Sequence, residues 1–282
     1  MQSNMTIRLW GVRGSIPSPG SLTTRFGGNT SCVSIHFPGE KVLVLDAGSG
    51  IRELGKHLAR NSAEIYIILS HSHWDHIHGF PFFHPIYEKS RQITLFPDQT
   101  EKYALCSLLE QMDGAHFPVN AECLPSQPNC VSGDDLDFLR NRGITASKIA
   151  TNHPGGGFGY RIENQGRSVV YLTDNELEPP YPKSTEFDGF VKFCNGADVL
   201  IHDAQYTEDD MPLKHGWGHS LVSQACALAA AARVKHLLLY HHDPDRTDDQ
   251  IAAIEEAAQA WFRRQGSATR CAAAYEGLVL ET

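Results

Sequence analysis

The chain of 282 residues is long enough to bury a substantial core, and its hydrophobic share of 41% and charged share of 20% are ordinary for a globular protein. Lys and Arg number 24 against 33 Asp and Glu, so the net charge of −9 disfavours long nucleic acids, whose phosphates need a basic surface. No apolar stretch reaches the roughly 18–20 residues that span a bilayer, which argues against a membrane partner.

Cysteine usage and the first residues bear on the compartment. The seven cysteines are scattered, odd in number and without a C-x-x-C pair, which predicts reduced thiols instead of a disulfide frame or a thiolate metal site. The opening segment 1–6 lacks the charged and apolar regions of a signal peptide. Together these features predict a cytoplasmic protein.

Hydrophobic periodicity predicts alternating strands and helices along most of the chain. In chain order, the predicted strands cover 6–12, 31–37, 41–46, 64–70, 92–96, 144–151, 158–163, 168–173, 198–202, 235–240 and 277–280. The predicted helices cover 51–60, a stretch after 76, and then 101–112, 184–194, 220–232 and 247–264.

The connections carry two further signals. Residues 164–166 predict a hairpin turn, whereas 114–133, with three prolines and little periodicity, predict a long loop that could serve as a lid or a partner-facing arm. No repeat or shift in composition marks a boundary, so we predict one domain over 1–282 with strands layered between helices.

The segment 71–76, HSHWDH, directly follows the apolar run 65–69. Three imidazoles and one carboxylate within six residues suit borderline divalent cations such as zinc. A β-branched run ending there would place these ligands at the C-terminal edge of a buried strand, where sheet-based enzymes usually hold their chemistry. The alternative is a polar loop that is rich in histidine by chance, since the chain has 15 histidines.

Further candidate ligands follow three later strands. His153 comes after 149–152, Asp174 ends the run 169–173 and His241 ends the run 236–240. Each alone has a plain alternative, a helix cap for the aspartate and a surface position for either histidine. Their repetition at equivalent positions indicates one shared site. His242 replaces His241 as the ligand if the strand ends one residue later.

This ordered set of motifs resembles the metallo-β-lactamase superfamily of di-metal hydrolases, and VLDAG at 44–48 matches that family's first motif. The resemblance implies an α/β (α+β) fold, a four-layer αββα sandwich of two mixed sheets flanked by helices, with the site at one edge. It also implies two divalent metal ions, held by His71, His73 and His153 on one side, by Asp75, His76 and His241 on the other, and by Asp174 as the bridge.

The chemistry agrees with that assignment. Two cations about 3.5–4 Å apart can share a hydroxide and clamp both oxygens of a displacement. Asp75 is suited to bind one metal while its free oxygen orients the hydroxide, which makes it a catalytic candidate, and Asp46 would fix a histidine tautomer or the loop itself. The donor set favours Zn²⁺, while Mn²⁺ and Fe²⁺ fit the same nitrogen and oxygen ligands.

Two features lean towards phosphodiesters. The first is IHDA at 201–204 followed by GHS at 218–220 and an Ala-rich helix, which resembles the C-terminal half of the ribonuclease Z-like and cyclic-nucleotide phosphodiesterase branches. There a histidine opening that helix contacts the scissile phosphate and aids the leaving group. His219 matches that catalytic position, and Asp203 is expected to support the site from behind the ligands. The alternative is that His219 has no catalytic role and only stands next to Ser220, which caps the helix.

The second feature is LWGVRGSIP at 9–17 with RFGGNTS at 25–31, which is similar to the glycine-rich first loop of the same branches. Four of its side chains could bind an anionic substrate: Arg13, Arg25, Asn29 and Ser31. The alternative is an ordinary hairpin loop whose arginines face water. Four aromatic residues are candidates for stacking on a base, although such residues are more often core: Trp74, Phe83, Phe117 and Trp217.

The spacing between motifs bears on substrate size. From His153 to Asp174 is 174 − 153 = 21 residues, which is room for one hairpin. A tRNA-processing ribonuclease Z would carry a long Gly/Pro-rich arm there. We therefore predict a metal-dependent phosphodiesterase of a small anionic substrate, a cyclic nucleotide or related ring, acting through a metal-bridging hydroxide. The alternatives are a lactonase or β-lactamase-like hydrolase, an RNA-processing nuclease, or a non-catalytic metal centre, and relatives of this kind allow a homodimer.

Overall fold

Two mixed β-sheets form the centre of the computed structural model, which describes residues 5–96, 106–211 and 213–282. Within these residues the strands, in chain order, are β1 (Thr6–Gly11), β2 (Cys32–Phe37), β3 (Lys41–Leu45), β4 (Glu64–Ile68), β5 (Ile93–Phe96), β6 (Asn129–Cys130), β7 (Thr145–Ala150), β8 (Phe158–Asn164), β9 (Arg167–Leu172), β10 (Val199–Asp203), β11 (His236–Tyr240), β12 (Arg270–Ala273) and β13 (Val279–Glu281). The α-helices are α1 (Ile51–Leu58), α2 (Trp74–Ile77), α3 (Ser107–Glu110), α4 (Leu136–Arg140), α5 (Phe187–Cys194), α6 (Val222–Ala231) and α7 (Asp248–Arg264).

Each sheet has one part with antiparallel strands and one part with parallel strands. The first has the order β13-β1-β2-β3-β4-β5-β6, antiparallel from β13 to β3 and parallel from β3 to β6. The second has the order β12-β11-β10-β9-β8-β7, parallel from β12 to β9 and antiparallel from β9 to β7. Because the carboxyl ends of parallel strands meet at one edge, the residues after β3, β4, β9, β10 and β11 are brought together.

Alternation along each strand builds the layers. In β4, Tyr66 and Ile68 point into the core between the sheets, while Ile65 and Ile67 pack on the other face against α1. In β9, inward side chains alternate with outward ones that pack against α5, α6 and α7. These three clusters give the order helix, sheet, sheet, helix, which confirms the predicted αββα sandwich of two mixed sheets.

Most predicted elements agree with the structure, but very short elements and the helix predicted after 76 do not. In place of that helix the structure has α2 at Trp74–Ile77 and 3-10 turns at Phe80–Phe82 and His84–Tyr87. Hydrophobic periodicity did not predict β6, β12 and α4, which span only two, four and five residues. Residues 114–133, predicted as loop throughout, contain β6 and a 3-10 turn at Ala121–Cys123. The helix predicted at 101–112 begins outside the described residues, and its described part forms α3.

Helix α7 shows how local sequence sets an element. At its start the Thr247 hydroxyl accepts from the Gln250 backbone N–H, and the Gln250 side chain accepts from the Thr247 N–H, which is a reciprocal cap. Ile251, Ala258 and Phe262 lie on its buried face. The opposite face of α7 carries its charged residues. Among the described residues, no helix of the protein is long and apolar enough to cross a membrane.

Candidate metal centre

Three residues at strand ends turn their side chains towards the same edge. Asp46 follows β3, Asp174 follows β9 and His241 follows β11, and their φ angles are +62°, +46° and +60°. Left-handed backbone is sparsely populated by residues other than glycine and costs on the order of 1–3 kcal/mol, which is typical of functional sites. The strands therefore end in a geometry that favours the site over local stability.

The polar residues form three overlapping groups that meet at Asp174. The ligand atoms of each group lie within 4.8 Å of one another, and the groups are His71, His73, His153 and Asp174; Asp75, His76, Asp174 and His241; and Asp174, Asp203, His219 and His241. Asp174 Oδ1 lies 3.1 Å from Nε2 of His76 and 3.1 Å from Nε2 of His241. Its Oδ2 faces the other side, 3.5 Å from His71 Nε2 and 3.7 Å from His153 Nε2.

We name the two sides of Asp174 by their exposure. The open lobe consists of His71, His73 and His153, of which His73 is exposed. The closed lobe consists of Asp75, His76 and His241, all of which are buried. The structure thus brings all seven predicted ligands together in two sets around one carboxylate.

The donor set fits divalent cations. The Nε2 atoms of His71 and His76 are buried without a hydrogen-bond partner, and both face Asp174. A buried polar atom of this kind is costly unless a bound ion or water molecule satisfies it. Burial lowers the pKa of His71, and burial lowers the pKa of His153 to about 4, so both imidazoles are neutral and able to donate a lone pair.

The Asp46 carboxylate anchors the closed lobe. It accepts from the Ser70 backbone N–H at 2.7 Å, the Ser70 hydroxyl at 2.8 Å, His76 Nδ1 at 2.8 Å and the Tyr171 hydroxyl at 2.7 Å. The bond from His76 fixes its tautomer and leaves Nε2 free for the centre. Asp46 therefore holds both the loop and a ligand, as the family's first motif predicts.

The remaining residues of the closed lobe have their own supports. His241 Nδ1 donates to Gln205 Oε1 at 2.8 Å, and the Ser15 backbone N–H donates to Asp75 Oδ2 at 2.8 Å. A Cβ on Gly14 would lie 2.5 Å from His241 Nδ1, so the loop approaches the ligand as closely as a glycine allows. The glycine-rich first loop thus acts on the centre through its backbone.

The open lobe is anchored by backbone and hydroxyl groups. His153 Nδ1 donates to the Gly218 carbonyl at 2.9 Å, and His153 Nε2 lies 3.0 Å from His73 Nδ1. Since the Ser70 hydroxyl donates to a carboxylate, it accepts from His71 Nδ1 at 3.1 Å. No carboxylate among the described residues orients a histidine of this lobe from behind, unlike the closed lobe.

His219 stands beside both lobes and is held by an acid. Its Nδ1 donates to Asp203 Oδ2 at 2.6 Å, and its ring stacks on that of His241 with centroids 5.1 Å apart. Burial opposes the charged form, but the carboxylates of Asp203, Asp174 and Asp75 raise the pKa of His219 to about 9. In this arrangement the imidazole favours its protonated form, and its ring lies 5.4 Å from that of His153 in the open lobe.

The structure decides between the two histidines after β11. His241 Nε2 lies 3.2 Å from Asp75 Oδ2, inside the closed lobe. His242 is directed away, and its Nε2 donates to the Ala274 carbonyl at 2.8 Å. The strand ends at Tyr240, so the first of the two turns into the site.

Two residues predicted to bind substrate are engaged or enclosed within the protein. Asn29 Nδ2 donates to Glu276 Oε2 at 2.8 Å and its Oδ1 accepts from the Ser49 hydroxyl at 3.0 Å. Ser31 is fully buried. Arg13 is also fully buried, and its guanidinium donates to three backbone carbonyls that join the first loop to residues 243–246.

The aromatic candidates divide by exposure. Phe83 lies in the core and Phe117 packs against the same cluster, so neither is placed to stack on a substrate. Trp74 is 83% exposed and Trp217 is 61% exposed. Trp74 directly follows His73 of the open lobe. Trp217 directly precedes Gly218, whose carbonyl accepts a hydrogen bond from His153 of the same lobe.

Sequence reasoning missed four supports of the site. Gln205 lies two residues after the end of β10, a position that could have been noticed next to Asp203. Tyr171 reads as an ordinary core aromatic, and the Ser15 N–H carries no side-chain signal. Glu176, two residues after Asp174, accepts hydrogen bonds from the backbone N–H groups of Gly216 and Gly218.

Comparisons with known proteins agree with this geometry. The family model described as the β-lactamase superfamily domain matches residues 42–242. A ribonuclease Z from Staphylococcus carnosus is 23% identical over 261 residues, covering 76% of the chain and 82% of that protein. A ribonuclease Z from Thermoplasma acidophilum is 35% identical over 104 residues, but this covers only 35% of the chain and 31% of that protein. In fold, the chain is similar to the metallo-β-lactamase fold protein YhfI from Bacillus subtilis, with a TM-score of 0.75, 20% identity and coverage of 99% of the chain and 100% of that protein.

Proposed function

The chain belongs to the β-lactamase superfamily as a hydrolase of the metallo-β-lactamase fold, and on that premise we propose that it is a metal-dependent phosphodiesterase of small substrates, of the cyclic-nucleotide type. The observation that carries the proposal is the pairing of His219 with Asp203 at 2.6 Å beside the two lobes. The phosphoryl group of a phosphodiester is negatively charged, so a cation at this place can stabilise it, whereas the reacting carbonyl of a lactone or lactam is neutral.

The fold family implies divalent metal ions, and the residues present fit two of them. The open lobe would hold one ion and the closed lobe the other, with one oxygen of Asp174 facing each. Two bound cations would supply positive charge to a phosphoryl oxygen and lower the pKa of a water molecule. Zn²⁺ is the ion that we propose, since the donors are imidazole nitrogens and short carboxylates.

Two side chains of the protein would move protons. Asp75 is fixed by the Ser15 N–H and lies between the closed-lobe histidines, so it can orient the attacking water and accept its proton. His219 can donate its proton to the departing oxygen as the phosphorus–oxygen bond breaks. Asp203 keeps that imidazole charged and prevents it from rotating.

The fold between the motifs supports a small substrate. The interval from His153 to Asp174 contains a four-residue loop at 154–157, β8, a two-residue turn and β9. There is no room in it for an arm that grips a folded RNA, and the chain carries a net charge of −9.

A second candidate is an RNA-processing nuclease. The specific observation in its favour is the similarity to two ribonuclease Z proteins, one of which aligns over 76% of the chain. Both candidates break a phosphodiester, so they share the site and differ in the size of the substrate. We also propose that the protein forms a homodimer, because a partner subunit could change the shape of the opening that leads to the two lobes.

The experiment is a hydrolysis panel with metal-reconstituted protein. It contains 2′,3′- and 3′,5′-cyclic mononucleotides, bis(p-nitrophenyl) phosphate, a precursor tRNA, a lactone and a chromogenic lactam. We expect hydrolysis of cyclic nucleotides, loss of most of that activity in His219→Ala, and full activity in the surface control His84→Ala. Faster hydrolysis of the lactone or lactam than of every phosphodiester would contradict the proposal, and cleavage of the precursor tRNA alone would favour the second candidate.

A further inference from the structure

A short segment at the mouth of the open lobe is held in place by a buried carboxylate. We name residues 216–218, Gly-Trp-Gly, the arch. The backbone N–H of Gly216 donates to Glu176 Oε1 at 2.9 Å, and that of Gly218 donates to Glu176 Oε2 at 2.9 Å. Glu176 is only 1% exposed, so both oxygens of a buried anion are used to hold two points of one loop.

The two glycines allow the arch to approach the site. Gly216 and Gly218 have φ angles of +90° and +91°, which other residues rarely adopt. A Cβ on Gly218 would lie 2.1 Å from Nδ1 of His153, the atom that donates to its carbonyl. The arch is therefore fixed to the open lobe at one end and to Glu176 at both ends.

This rigid support carries a side chain that the fold does not use. Trp217 is 61% exposed, and within the described part of the chain its indole has neither a ring neighbour nor a hydrogen bond. An exposed indole leaves a large apolar surface in water, which is unfavourable unless a ligand covers it. Leu213, four residues earlier in the chain, is more exposed still, at 86%.

The place of Trp217 in the chain indicates what its ring would meet. Trp217 lies two residues before His219 and next to the carbonyl that orients His153. A flat indole stacks on any flat π surface, and base–aromatic stacking tolerates every base. A platform that is fixed before binding also costs little conformational entropy when the ligand arrives.

We propose that the arch is a nucleobase platform, with Trp217 as the stacking surface and Glu176 as the positioning residue that holds it. The inference rests on the proposed function and narrows it, because it assigns the substrates to phosphodiesters that carry a base. It predicts little discrimination between adenine and the other bases, since stacking reads no hydrogen-bond pattern.

The test compares two ligands that differ by the base. Isothermal titration would measure adenosine 5′-monophosphate and ribose 5-phosphate binding to the reconstituted protein and to Trp217→Ala, Trp217→Phe and Leu213→Ala. We expect Trp217→Ala to weaken the nucleotide by about tenfold or more while leaving ribose 5-phosphate unchanged. Trp217→Phe should retain most of the affinity, and Leu213→Ala should behave as the parent protein. Equal loss for both ligands, or none for either, would overturn the platform.

A double-mutant cycle separates positioning from a general structural role. Glu176→Ala should weaken the nucleotide on its own but have no further effect on nucleotide affinity in the Trp217→Ala background, because it acts through that ring. An undiminished effect in that background would refute the role of Glu176.

Steady-state kinetics distinguish this inference from the proposed function. Adenosine 2′,3′-cyclic phosphate would be compared with glycerol 1,2-cyclic phosphate, which has the same reacting group without a base. We expect Trp217→Ala to raise KM for the first and leave kcat/KM for the second unchanged. If the parent protein hydrolyses neither, the proposed function fails, whereas hydrolysis of both with an unaffected Trp217→Ala variant overturns the platform alone.

Discussion

The open and closed lobes use similar donors but are supported differently. In the closed lobe, His76 is held by the Asp46 carboxylate and His241 by the Gln205 amide, and all three ligands are buried. In the open lobe, a backbone carbonyl and a hydroxyl hold the histidines, and His73 reaches solvent. Buried ligands with charged supports favour tight binding, so we expect the closed lobe to retain its ion and the open lobe to exchange with solvent and substrate.

The largest effect should come from the residue that the lobes share. Asp174→Ala removes an oxygen from each lobe, so we expect both ions to bind weakly and turnover to fall by several orders of magnitude. Elemental analysis and kcat on a cyclic nucleotide would measure this, with the exposed Asp209→Ala as the control. Turnover that survives with one bound ion would contradict the shared role.

The second prediction separates the lobes. Asp46→Ala removes the support of His76, which should lower metal affinity at the closed lobe by roughly 10–100-fold and leave the open lobe closer to the parent. Competition with a chelator, followed as metal equivalents retained, would measure the two steps. Equal weakening of both steps would show that the lobes are not independent.

The third prediction concerns pH. His219, with a pKa of about 9, donates its proton only below that value, so activity should fall as pH rises through about 9. Asp203→Asn removes the charge that raises this pKa, so the alkaline limb should move down by about one pH unit or more. The pH profile of kcat would measure the shift, and an unmoved limb would assign it to another group.

The smallest effect should come from one hydrogen bond to Asp46. Tyr171→Phe removes a buried hydroxyl donor, which should lower the free energy of unfolding by about 1–3 kcal/mol and weaken metal binding at the closed lobe a few-fold. Tyr87→Phe is the control, because its hydroxyl donates to the Pro81 carbonyl away from the lobes. If both variants lost the same stability and neither changed metal affinity, the bond would serve only the core.

The sequence predicted which polar residues the fold brings together, because strand ends are local features. His153, Asp174 and His241 each follow a hydrophobic strand, and parallel strands bring such ends to one edge whatever the details of packing. The layered fold followed from the same alternation of strands and helices. In β9, for example, successive residues alternate between the inter-sheet core and the helix layer.

The supports were harder to predict because they depend on contacts far apart in sequence. Tyr171 and Asp46 are 125 residues apart, and nothing local distinguishes that tyrosine from a core residue. Arg13 was predicted to bind an anion, but two of its three partners are backbone carbonyls more than 200 residues later in the chain. The hydrogen bonds from the Gly216 and Gly218 N–H groups to Glu176 also depend on the fold and have no local signal in the sequence.

The pairing of β13 with β1 has a consequence for biosynthesis. Thr6 pairs with Glu281, so the edge of the first sheet is completed by a strand that leaves the ribosome long after its neighbour. The candidate centre likewise needs His241, which is synthesised long after His71 and His73. Contacts of such long range slow folding, so we expect the first sheet and the candidate centre to be completed late in folding.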